Sequence, residues 1–515
     1  LCIAFFAFAV GCAPAQKPLT DYVNPMLGTA TLWDSVDLGF KPTKRTWGAE
    51  VFPGSSLPNA MVQVSPVTKF HSGAGYQYED SVIYGFTHTN KGHWNLCHIP
   101  LLPVTGTPTP GDYCSPFSHE RESAAPGYYQ VFLDRYGVDA QLSSTLRCAF
   151  HKYTYPAGAA PAVLADLQRS NEHVRAWDIR KEGDNVFAGW QQTGEKMYFY
   201  AVANRPVTGI EPVVEGDREV RIVRFGEGDG ALELRIGFSF VSEKNARENL
   251  EAEMLGKSFA EVRSEATATW NDLLGRIRVE GGTEREKGLF YSSLYRSFLW
   301  PALRSDVNGE FTDVDGKVIN PGFRYYTGPS YWDDYRNKLI LLGMLAPDVA
   351  ADVISSDVDK GEKRGGFMPT FFHGDHASAF VAGTYLRGNR GFDVNRAYNL
   401  VLRNATVQGP SRPWLDEYVA KGYISEMDVE NPVTWTVCKA AVTKTLEYSY
   451  DDYAVALLAD ALGDKENRDM LMKRTSNYKN LFDPSTGLMR GRLENGEWIT
   501  PFDDQYPYYE YMYRE

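Results

Sequence analysis

Residues 231–274 show where this chain changes from β-structure to α-helix. The segment Ala231-Leu-Glu-Leu-Arg-Ile-Gly-Phe238 alternates apolar and polar side chains, which is typical of a strand with one buried face. From about Asn245, and through Ala246–Leu274, the residues are mostly good helix formers with few helix breakers. We therefore predict a β domain before this point and a helical domain after it, joined by a helix or a helical pair.

The residues before this transition predict a β-sandwich. Short segments rich in β-branched and aromatic residues are separated by Gly or Pro signals about every ten residues. Clear examples are Tyr128–Asp134, Val138–Leu142, Asn185–Trp190 and Lys196–Val202. We assign residues 20–244 to this domain and residues 1–19 to a leader.

The residues after the transition predict a helical domain. Apolar side chains recur at helical spacing in most of its segments. The predicted helices are Arg285–Leu303, Asp334–Leu345, His376–Leu386, Val394–Arg403, Val437–Leu462 and Lys465–Tyr478. Long loops rich in aromatic and acidic residues join them, which indicates an α/α toroid rather than a compact bundle. We divide this part into a helical linker, 245–280, and a barrel domain, 281–515.

The composition narrows the class of ligand. The chain has 515 residues, more than one hydrophobic core usually supports, and a formal net charge of −13 with no long basic run. Such a charge repels nucleic acid. Aromatic residues make up 13% of the chain, and their flat faces suit neutral, hydroxyl-rich ligands. We therefore expect no nucleic-acid partner.

The first residues of the chain resemble an export signal. An apolar run, Leu1–Val10, is too short to span a bilayer and is followed by Gly11-Cys12. Small residues before a cysteine resemble a lipoprotein signal in which Cys12 is acylated, and a plain secretory signal is the alternative. In both cases we expect an exported protein, periplasmic or held at the outer membrane by its lipid, with no other membrane contact.

Four cysteines lie outside this leader, namely Cys97, Cys114, Cys148 and Cys438. They are too widely spaced for a disulfide scaffold. A Cys97–Cys114 bridge, a Cys114–Cys148 bridge and buried free thiols remain alternatives.

Three histidines, His88, His93 and His98, recur at five-residue intervals next to Cys97. Zinc sites usually have tighter paired spacing, and five residues match neither a helix face nor a strand face. We therefore favour a loop that lines a pocket over a metal site. Trp94 in this loop is a candidate platform for a sugar ring.

The segment Tyr325–Arg336 carries candidate binding residues. Ser330 is predicted to cap a helix in which Trp332, Asp333 and Arg336 share a face. A Trp plane beside a carboxylate–guanidinium pair suits a sugar, because the plane stacks on the ring while the charged groups bond its hydroxyls. The alternative is a helix-start ion pair with a core Trp.

Two other segments carry candidate residues. Asp375 and His376 precede a predicted helix, and we count both as candidate substrate-binding residues, with a helix cap and a structural histidine as alternatives. Glu447 and Asp451 are four apart on the strongest helix, a like-charge pair that indicates a cationic or hydroxyl partner, with a solvated helix face as the alternative. Asp451 or Asp452 is a second candidate for an acid/base role.

Eight segments, in order along residues 21–448, resemble glycoside hydrolase family 92, the exo-acting α-mannosidases. They are Asp21–Thr29, Phe52-Pro-Gly with Met61–Pro66, Gly75–Asp80 with Gly85–Thr89, Tyr291–Tyr295, Trp332–Arg336, Gly374–Ala377, Gly391–Asp393 and Thr445–Tyr448. The resemblance implies an N-terminal β-sandwich packed on an (α/α)6 barrel. Its substrate would be a mannose-containing glycan.

The resemblance also implies a mechanism. It implies calcium-assisted hydrolysis of terminal α-mannose with inversion, which needs an acid and a base roughly 6.5–9.5 Å apart. The family's acid lies in a Thr-Glu-Gly-Asn-type segment after a Tyr-rich stretch, which makes Glu515 the candidate, although Arg514 departs from that pattern. The family's bases and most calcium ligands lie further towards the C-terminus. We therefore assign no metal ligand and expect the 515-residue chain to be inactive by itself.

The resemblance implies that Trp332, Asp333 and Arg336 face the terminal mannose and that Trp94 faces the leaving sugar. Two loops depart from the family pattern, Pro58–Met61 and Gly92–Asn95, so the linkage specificity stays open. A glycan-binding surface lipoprotein without catalysis is the alternative of a different class. Another six-hairpin glycosidase or phosphorylase is a third possibility.

Overall fold

The structure of the chain is a computed structural model, and it describes residues 17–31, 51–91, 94–426, 439–500 and 502. The predicted roles of Cys12 and Glu515 fall outside these residues and stay predictions. No single described helix is both long and apolar enough to cross a membrane.

Most of the strands lie in the N-terminal half of the chain. The described strands are β1 (Ser55–Ser56), β2 (Gln63–Val67), β3 (Val82–Ile83), β4 (Gly85–Thr87), β5 (Asn90–Lys91), β6 (Trp94–Asn95), β7 (Leu101–Val104), β8 (Ser115–Pro116), β9 (Glu122–Ala125), β10 (Tyr128–Leu133), β11 (Val138–Ser144), β12 (Cys148–Thr154), β13 (Ala162–Ala165), β14 (Ala176–Gly183), β15 (Val186–Gln192), β16 (Lys196–Ala203), β17 (Val207–Glu215), β18 (Arg218–Phe225), β19 (Leu232–Ser239), β20 (Phe311–Thr312), β21 (Val318–Ile319), β22 (Phe482–Asp483) and β23 (Leu488–Met489).

Two antiparallel sheets form the N-terminal domain. The first has the strand order β1-β2-β4-β7-β13-β18-β17, and the second has the order β14-β15-β16-β19-β12-β11-β10-β9. In β16, buried residues strictly alternate with half-buried ones, so Met197, Phe199 and Ala201 point into the core. They share one hydrophobic core with Val64 and Leu102 of the first sheet. The predicted β-sandwich is confirmed.

Helices dominate from residue 243 onward. The described α-helices are α1 (Glu243–Glu253), α2 (Phe259–Leu274), α3 (Glu284–Ser297), α4 (Tyr331–Asp334), α5 (Lys338–Leu345), α6 (Pro347–Lys363), α7 (Ala377–Leu386), α8 (Val394–Thr406), α9 (Leu415–Lys421), α10 (Ala441–Leu462) and α11 (Lys465–Arg474). The longest of them, α10, packs against α7, α8 and α11. The predicted helical domain after the β domain is confirmed.

Capping explains where several helices begin. Ser258 and Thr283 each form a capping box. In each box, the side chain of the cap accepts a hydrogen bond from the backbone N–H of a glutamate three residues later, and the side chain of that glutamate accepts one from the backbone N–H of the cap. Asp393 caps α8 through two backbone N–H groups.

Some helix boundaries differ from the sequence prediction. The predicted helix Asp334–Leu345 is two helices, α4 and α5, and the Asn337 side chain accepts a bond from the first N–H of α5. The predicted helices do not include α6, which begins at Pro347, and proline is favoured at the first position of a helix. The helix predicted for Arg285–Leu303 ends earlier, at Ser297, and could not have continued through Pro301, because proline disfavours helix in the residue before it.

The two domains are joined through a buried junction. Trp270 of α2 is fully buried, and its indole N–H donates to the backbone oxygen of Ser56 at 2.7 Å. The Trp270 ring lies 4.4 Å from the ring of Tyr295 in α3. In addition, the Gln63 side chain donates to the backbone oxygen of Leu299 at 2.8 Å. The junction therefore combines apolar packing with hydrogen bonds between domains.

The structure distinguishes between the alternatives for three of the cysteines. No disulfide bond links Cys97, Cys114 and Cys148, of which Cys97 and Cys148 are buried, and Cys438 lies outside the described residues. Burial raises the pKa of both buried thiols, which keeps them protonated and unreactive. The two bridges considered above are therefore not formed.

Candidate functional site

Aromatic and charged side chains from three elements meet at one surface of the helical domain. The ring of Trp332 in α4 lies 5.3 Å from Phe372, which belongs to the loop before α7. Tyr335 lies 5.4 Å from Tyr450 of α10. We call the following set the aromatic face: Trp332, Tyr335, Arg336, Phe372, Glu447 and Tyr450.

A buried tyrosine holds α4 in place. Tyr331 is fully buried, and its hydroxyl donates to the carboxylate of Asp357. Asp357 also pairs with Lys360 at 2.8 Å. Ser330 occupies the N-cap position as predicted, but its side chain makes no capping bond. Anchoring by Tyr331 therefore takes the place of the predicted cap.

Arg336 lies beside Trp332, as the predicted shared face requires. Its guanidinium lies 5.5 Å from the Trp332 ring and 4.5 Å from the Tyr335 ring, and it donates to the Trp332 backbone oxygen at 3.2 Å. Its ion pair is with Glu447, 3.7 Å away. Asp333 is exposed. The structure thus brings Trp332 and Arg336 together and adds Glu447, a residue four positions before Asp451 on α10.

Phe372 has an unusual backbone conformation. Its φ is 65°, a left-handed value that is costly for a residue with a side chain and often marks a functional site. Phe371 and Phe372 are 45% and 48% exposed. Neither was singled out from the sequence, although two adjacent aromatic residues before the Gly374-Asp-His segment were a signal available there.

A group of ionisable side chains lies buried beneath the aromatic face. We call Asp375, His376, Arg412, Asp451 and Asp452 the buried cluster; each is at most 1% exposed. His376 Nδ1 is 2.9 Å from Asp451 Oδ1, and its ring stacks on Tyr335 with centroids 3.8 Å apart. This stacking joins the buried cluster to the aromatic face.

Arg412 neutralises the two carboxylates on either side of it. It donates to Asp375 at 3.2 Å and to Asp452 at 2.6 Å. Asp452 also accepts hydrogen bonds from Arg474 at 2.9 Å and Tyr418 at 3.1 Å. A buried charge is tolerated when it is paired and hydrogen-bonded in this way.

Burial and neighbouring charge shift the protonation of these groups. Burial raises the pKa of Asp375 to about 6 despite the opposing effect of Arg412, and burial likewise raises the pKa of Asp452. For Glu447, burial again raises the pKa, against the effect of His376. Burial alone would lower the pKa of His376, but the carboxylates of Asp451 and Glu447 more than reverse this and raise it.

Gly374 makes room for His376. Its φ is 79°, and a Cβ atom built there would lie 2.7 Å from His376 Nε2 and 3.0 Å from Glu447 Cβ. A side chain at this position would therefore displace the histidine ring that joins the two groups.

The remaining predicted residues have different surroundings. Asp375 is buried and also accepts hydrogen bonds from the side chains of Asn404 and Ser378, at 2.9 and 2.8 Å; the cap position of α7 is His376, which makes no side-chain capping bond. Asp452, a second acid/base candidate, is enclosed by Arg412 and Arg474 as described. Trp94 belongs to the β5–β6 hairpin, and its side chain lies outside the described part of the chain.

His88 and His98 are buried in the sandwich core rather than lining a pocket, and His93 lies outside the described residues. His88 bonds His151 through their Nε2 atoms at 2.9 Å, and His98 bonds Thr193 at 3.0 Å. Burial lowers the pKa of His88 to about 3, which keeps it neutral. Within the described ranges, no group of three or more His, Cys, Asp or Glu side chains is placed to hold a metal ion.

Comparisons with known proteins cover nearly the whole chain. The model of the glycosyl hydrolase family 92 N-terminal domain matches residues 22–248, and the model of the family 92 catalytic domain matches residues 245–515. Both the aromatic face and the buried cluster lie in the second match.

Individual relatives agree with these matches. A protein of Arthroderma benhamiae described as an uncharacterized secreted glycosidase is 24% identical in an alignment of 550 positions that covers 93% of this chain and 66% of the relative. A solved family GH92 α-mannosidase of Bacteroides thetaiotaomicron is 27% identical, with a TM-score of 0.84 over 95% of this chain and 68% of that one. A family GH92 inverting mannosidase of the same organism is 25% identical, with a TM-score of 0.83 and coverage of 95% and 69%.

Proposed function

The chain belongs to glycosyl hydrolase family 92, and from this premise we propose that it is an exo-α-mannosidase that removes terminal α-linked mannose from glycans with inversion. The substrate class is supported by the similar solved structures, which are mannosidases, one of them in complex with mannoimidazole. The chain spans 66% of the length of the curated relative it matches, so the activity of the whole protein is part of this proposal.

The observation that carries the proposal is the aromatic face. Trp332 offers a flat apolar surface, and within a few ångströms Arg336 offers donors and Glu447 offers acceptors. A pyranose ring has apolar C–H faces and a rim of hydroxyls, and these two kinds of group complement it. The net charge of −13 further favours a neutral ligand over an anionic one.

The reaction needs two carboxyl groups on opposite sides of the glycosidic bond. We propose Glu515 as the acid that protonates the leaving oxygen, with the base supplied from beyond residue 515. Asp375 and Asp452 are poor candidates for either role, because each is fully buried and bonded to Arg412. Residues 1–515 alone are then expected to be inactive.

Calcium dependence is also a proposal. Within the described part of the chain, no group of three or more His, Cys, Asp or Glu side chains is placed to hold a metal ion. We propose that most of its ligands lie outside the described residues. When bound, calcium would be coordinated by hydroxyl oxygens of the substrate.

We further propose export, with Cys12 as a lipid attachment site. The relative from Arthroderma benhamiae carries the description "secreted", which supports export. The small residues before Cys12 support lipidation.

Hydrolysis is tested with α-mannobiose and a protein that extends past residue 515 to the length of its relatives. We expect the longer protein to release mannose that appears first as the β-anomer in proton NMR spectra. Treatment with EDTA should abolish this release. The 515-residue chain in parallel is expected to release none.

Initial release of the α-anomer would contradict inversion, and release that survives chelation would remove calcium from the mechanism. If the longer protein bound mannosides without cleaving them, the non-catalytic alternative would hold instead.

Replacing Trp332 with alanine is expected to weaken mannoside binding by about 10–100-fold, because a central aromatic contact commonly contributes 2 kcal/mol or more. Trp332→Phe should recover part of the loss. Trp190→Ala is the matched control, since Trp190 is a half-buried tryptophan of the β domain, beneath Lys196. Isothermal titration with mannoimidazole measures the affinities. Equal affinities for Trp332→Ala and Trp190→Ala would exclude Trp332 from the site.

A further inference from the structure

Glu447 is a carboxylate with spare hydrogen-bonding capacity. Its side chain is 12% exposed at the aromatic face. Its Oε1 lies 3.7 Å from Arg336, and its Oε2 lies 3.4 Å from the Tyr335 hydroxyl and 3.3 Å from His376 Nε2. These distances are at or beyond the long end of hydrogen bonding, whereas a carboxylate accepts about four bonds. The described neighbours of Glu447 therefore leave acceptor sites for a ligand.

The group behind Glu447 is rigid. His376 is fully buried, its ring lies nearly parallel to that of Tyr335, and its Nδ1 bonds Asp451. Asp451 is in turn fixed by the backbone N–H of Asp375 at 2.5 Å. With Nδ1 committed to Asp451, only Nε2 of His376 is directed at Glu447. Within the described residues this buried Nε2 has no aligned hydrogen-bond partner.

The charged groups around His376 favour its interaction with carboxylates. The charged and titratable groups around it come from three elements: Tyr335 and Arg336 after α4, His373 and Asp375 before α7, and Glu447, Tyr450 and Asp451 on α10. Two of these, Asp451 and Glu447, contact the imidazole from opposite sides. A histidine between two carboxylates favours its cationic form, in which both nitrogens donate.

We propose that Glu447 is a substrate-contacting residue that accepts hydrogen bonds from hydroxyls of the terminal sugar, and that His376 and Asp451 are positioning residues that fix its carboxylate at the aromatic face. This inference rests on the proposed function and adds a determinant of sugar recognition to it. Because a carboxylate accepts two neighbouring hydroxyls at once, the contact favours a sugar with adjacent free hydroxyls, as at a chain end.

The first test replaces Glu447 with glutamine, which keeps its size and removes its charge. The affinity for mannoimidazole is expected to fall and the KM for α-mannobiose to rise by about tenfold or more, while thermal stability changes little because glutamine fills the same space. The control is Glu466→Gln, an exposed glutamate of α11, which should bind like the unaltered protein.

The second test separates positioning from simple structural support with two variants of one residue. In His376→Asn the amide can replace Nδ1 and keep the bond to Asp451, but the shorter side chain does not reach Glu447. In His376→Gln the amide can replace Nε2 and support Glu447. We expect His376→Gln to bind the ligand more tightly than His376→Asn. We also expect His376→Asn to reduce the affinity for the ligand much less when Glu447→Gln is already present, because the two residues act through one contact.

The outcomes distinguish this inference from the function on which it rests. If the unaltered protein bound no mannoside, the proposed function would fail. If the unaltered protein bound and Glu447→Gln matched Glu466→Gln, the role of Glu447 would be overturned while the proposed function stood. If the losses from His376→Asn and Glu447→Gln were simply additive, the positioning role would be overturned.

Discussion

Arg412→Met is expected to destabilise the folded protein by about 3–5 kcal/mol, the usual cost of breaking a buried ion pair on one side. Arg412 is fully buried and donates to both Asp375 and Asp452, so its loss leaves two buried carboxylates with less compensation. Urea denaturation followed by circular dichroism measures the change. Arg285→Met, at an exposed arginine of α3, is the matched control and should change stability by less than about 0.5 kcal/mol.

The pH dependence of this loss identifies its cause. Without Arg412, the folded-state pKa of Asp375, already raised to about 6, rises further. A carboxyl group whose folded pKa lies above its unfolded value stabilises the fold at low pH, and this contribution is lost as pH rises through the folded pKa. The deficit of Arg412→Met should therefore be smaller at pH 5 than at pH 8. A deficit that does not change with pH would point to lost packing rather than to uncompensated charge.

Trp270→Ala is expected to destabilise the protein by about 3–5 kcal/mol, as is typical when a buried tryptophan is truncated. The change leaves a cavity beside Tyr295 and removes the hydrogen bond to the backbone oxygen of Ser56. Trp270→Phe keeps an aromatic ring and should recover part of the lost stability. The remaining loss comes from the missing hydrogen bond and from the smaller size of the ring.

The position of Trp270 also predicts how the protein unfolds. Because Trp270 touches β1 of the sandwich and α3 of the helical domain, its truncation should weaken the coupling between domains, so that one calorimetric transition broadens or divides. Trp190→Ala, within the β domain alone, should lower the transition temperature less and leave its shape unchanged. Equal effects of the two variants would show that Trp270 contributes only local packing.

Much of the fold follows from local sequence pattern. The alternation in β16 and the helical spacing in α10 depend on each residue and its close neighbours, and such patterns are visible in the sequence. The break between α4 and α5 is harder to predict, because it depends on the Asn337 side chain and on the anchoring of Tyr331 by Asp357. Tertiary contacts of this kind override local propensity.

The candidate site shows the same division. Trp332 and Arg336 are close in sequence, and their proximity follows from spacing alone. Arg412 is 37 residues from Asp375 and 40 from Asp452, so no spacing rule connects it to them. The like-charge pair of Glu447 and Asp451 indicated a cationic or hydroxyl partner, and the structure places His376 between the two carboxylates. The sequence alone did not reveal that this partner is His376.

The close fit at Gly374 has a consequence for how this protein can diverge. Gly374 leaves the space that the His376 ring fills, and Asp375 supplies both a backbone N–H to Asp451 and a carboxylate to Arg412. Each of these three successive residues makes a different contact in the buried cluster. A single replacement at any of them therefore disturbs side chains that the other two also position. In a library of random variants, the tripeptide 374–376 should tolerate almost no isolated change and should be inherited as one unit.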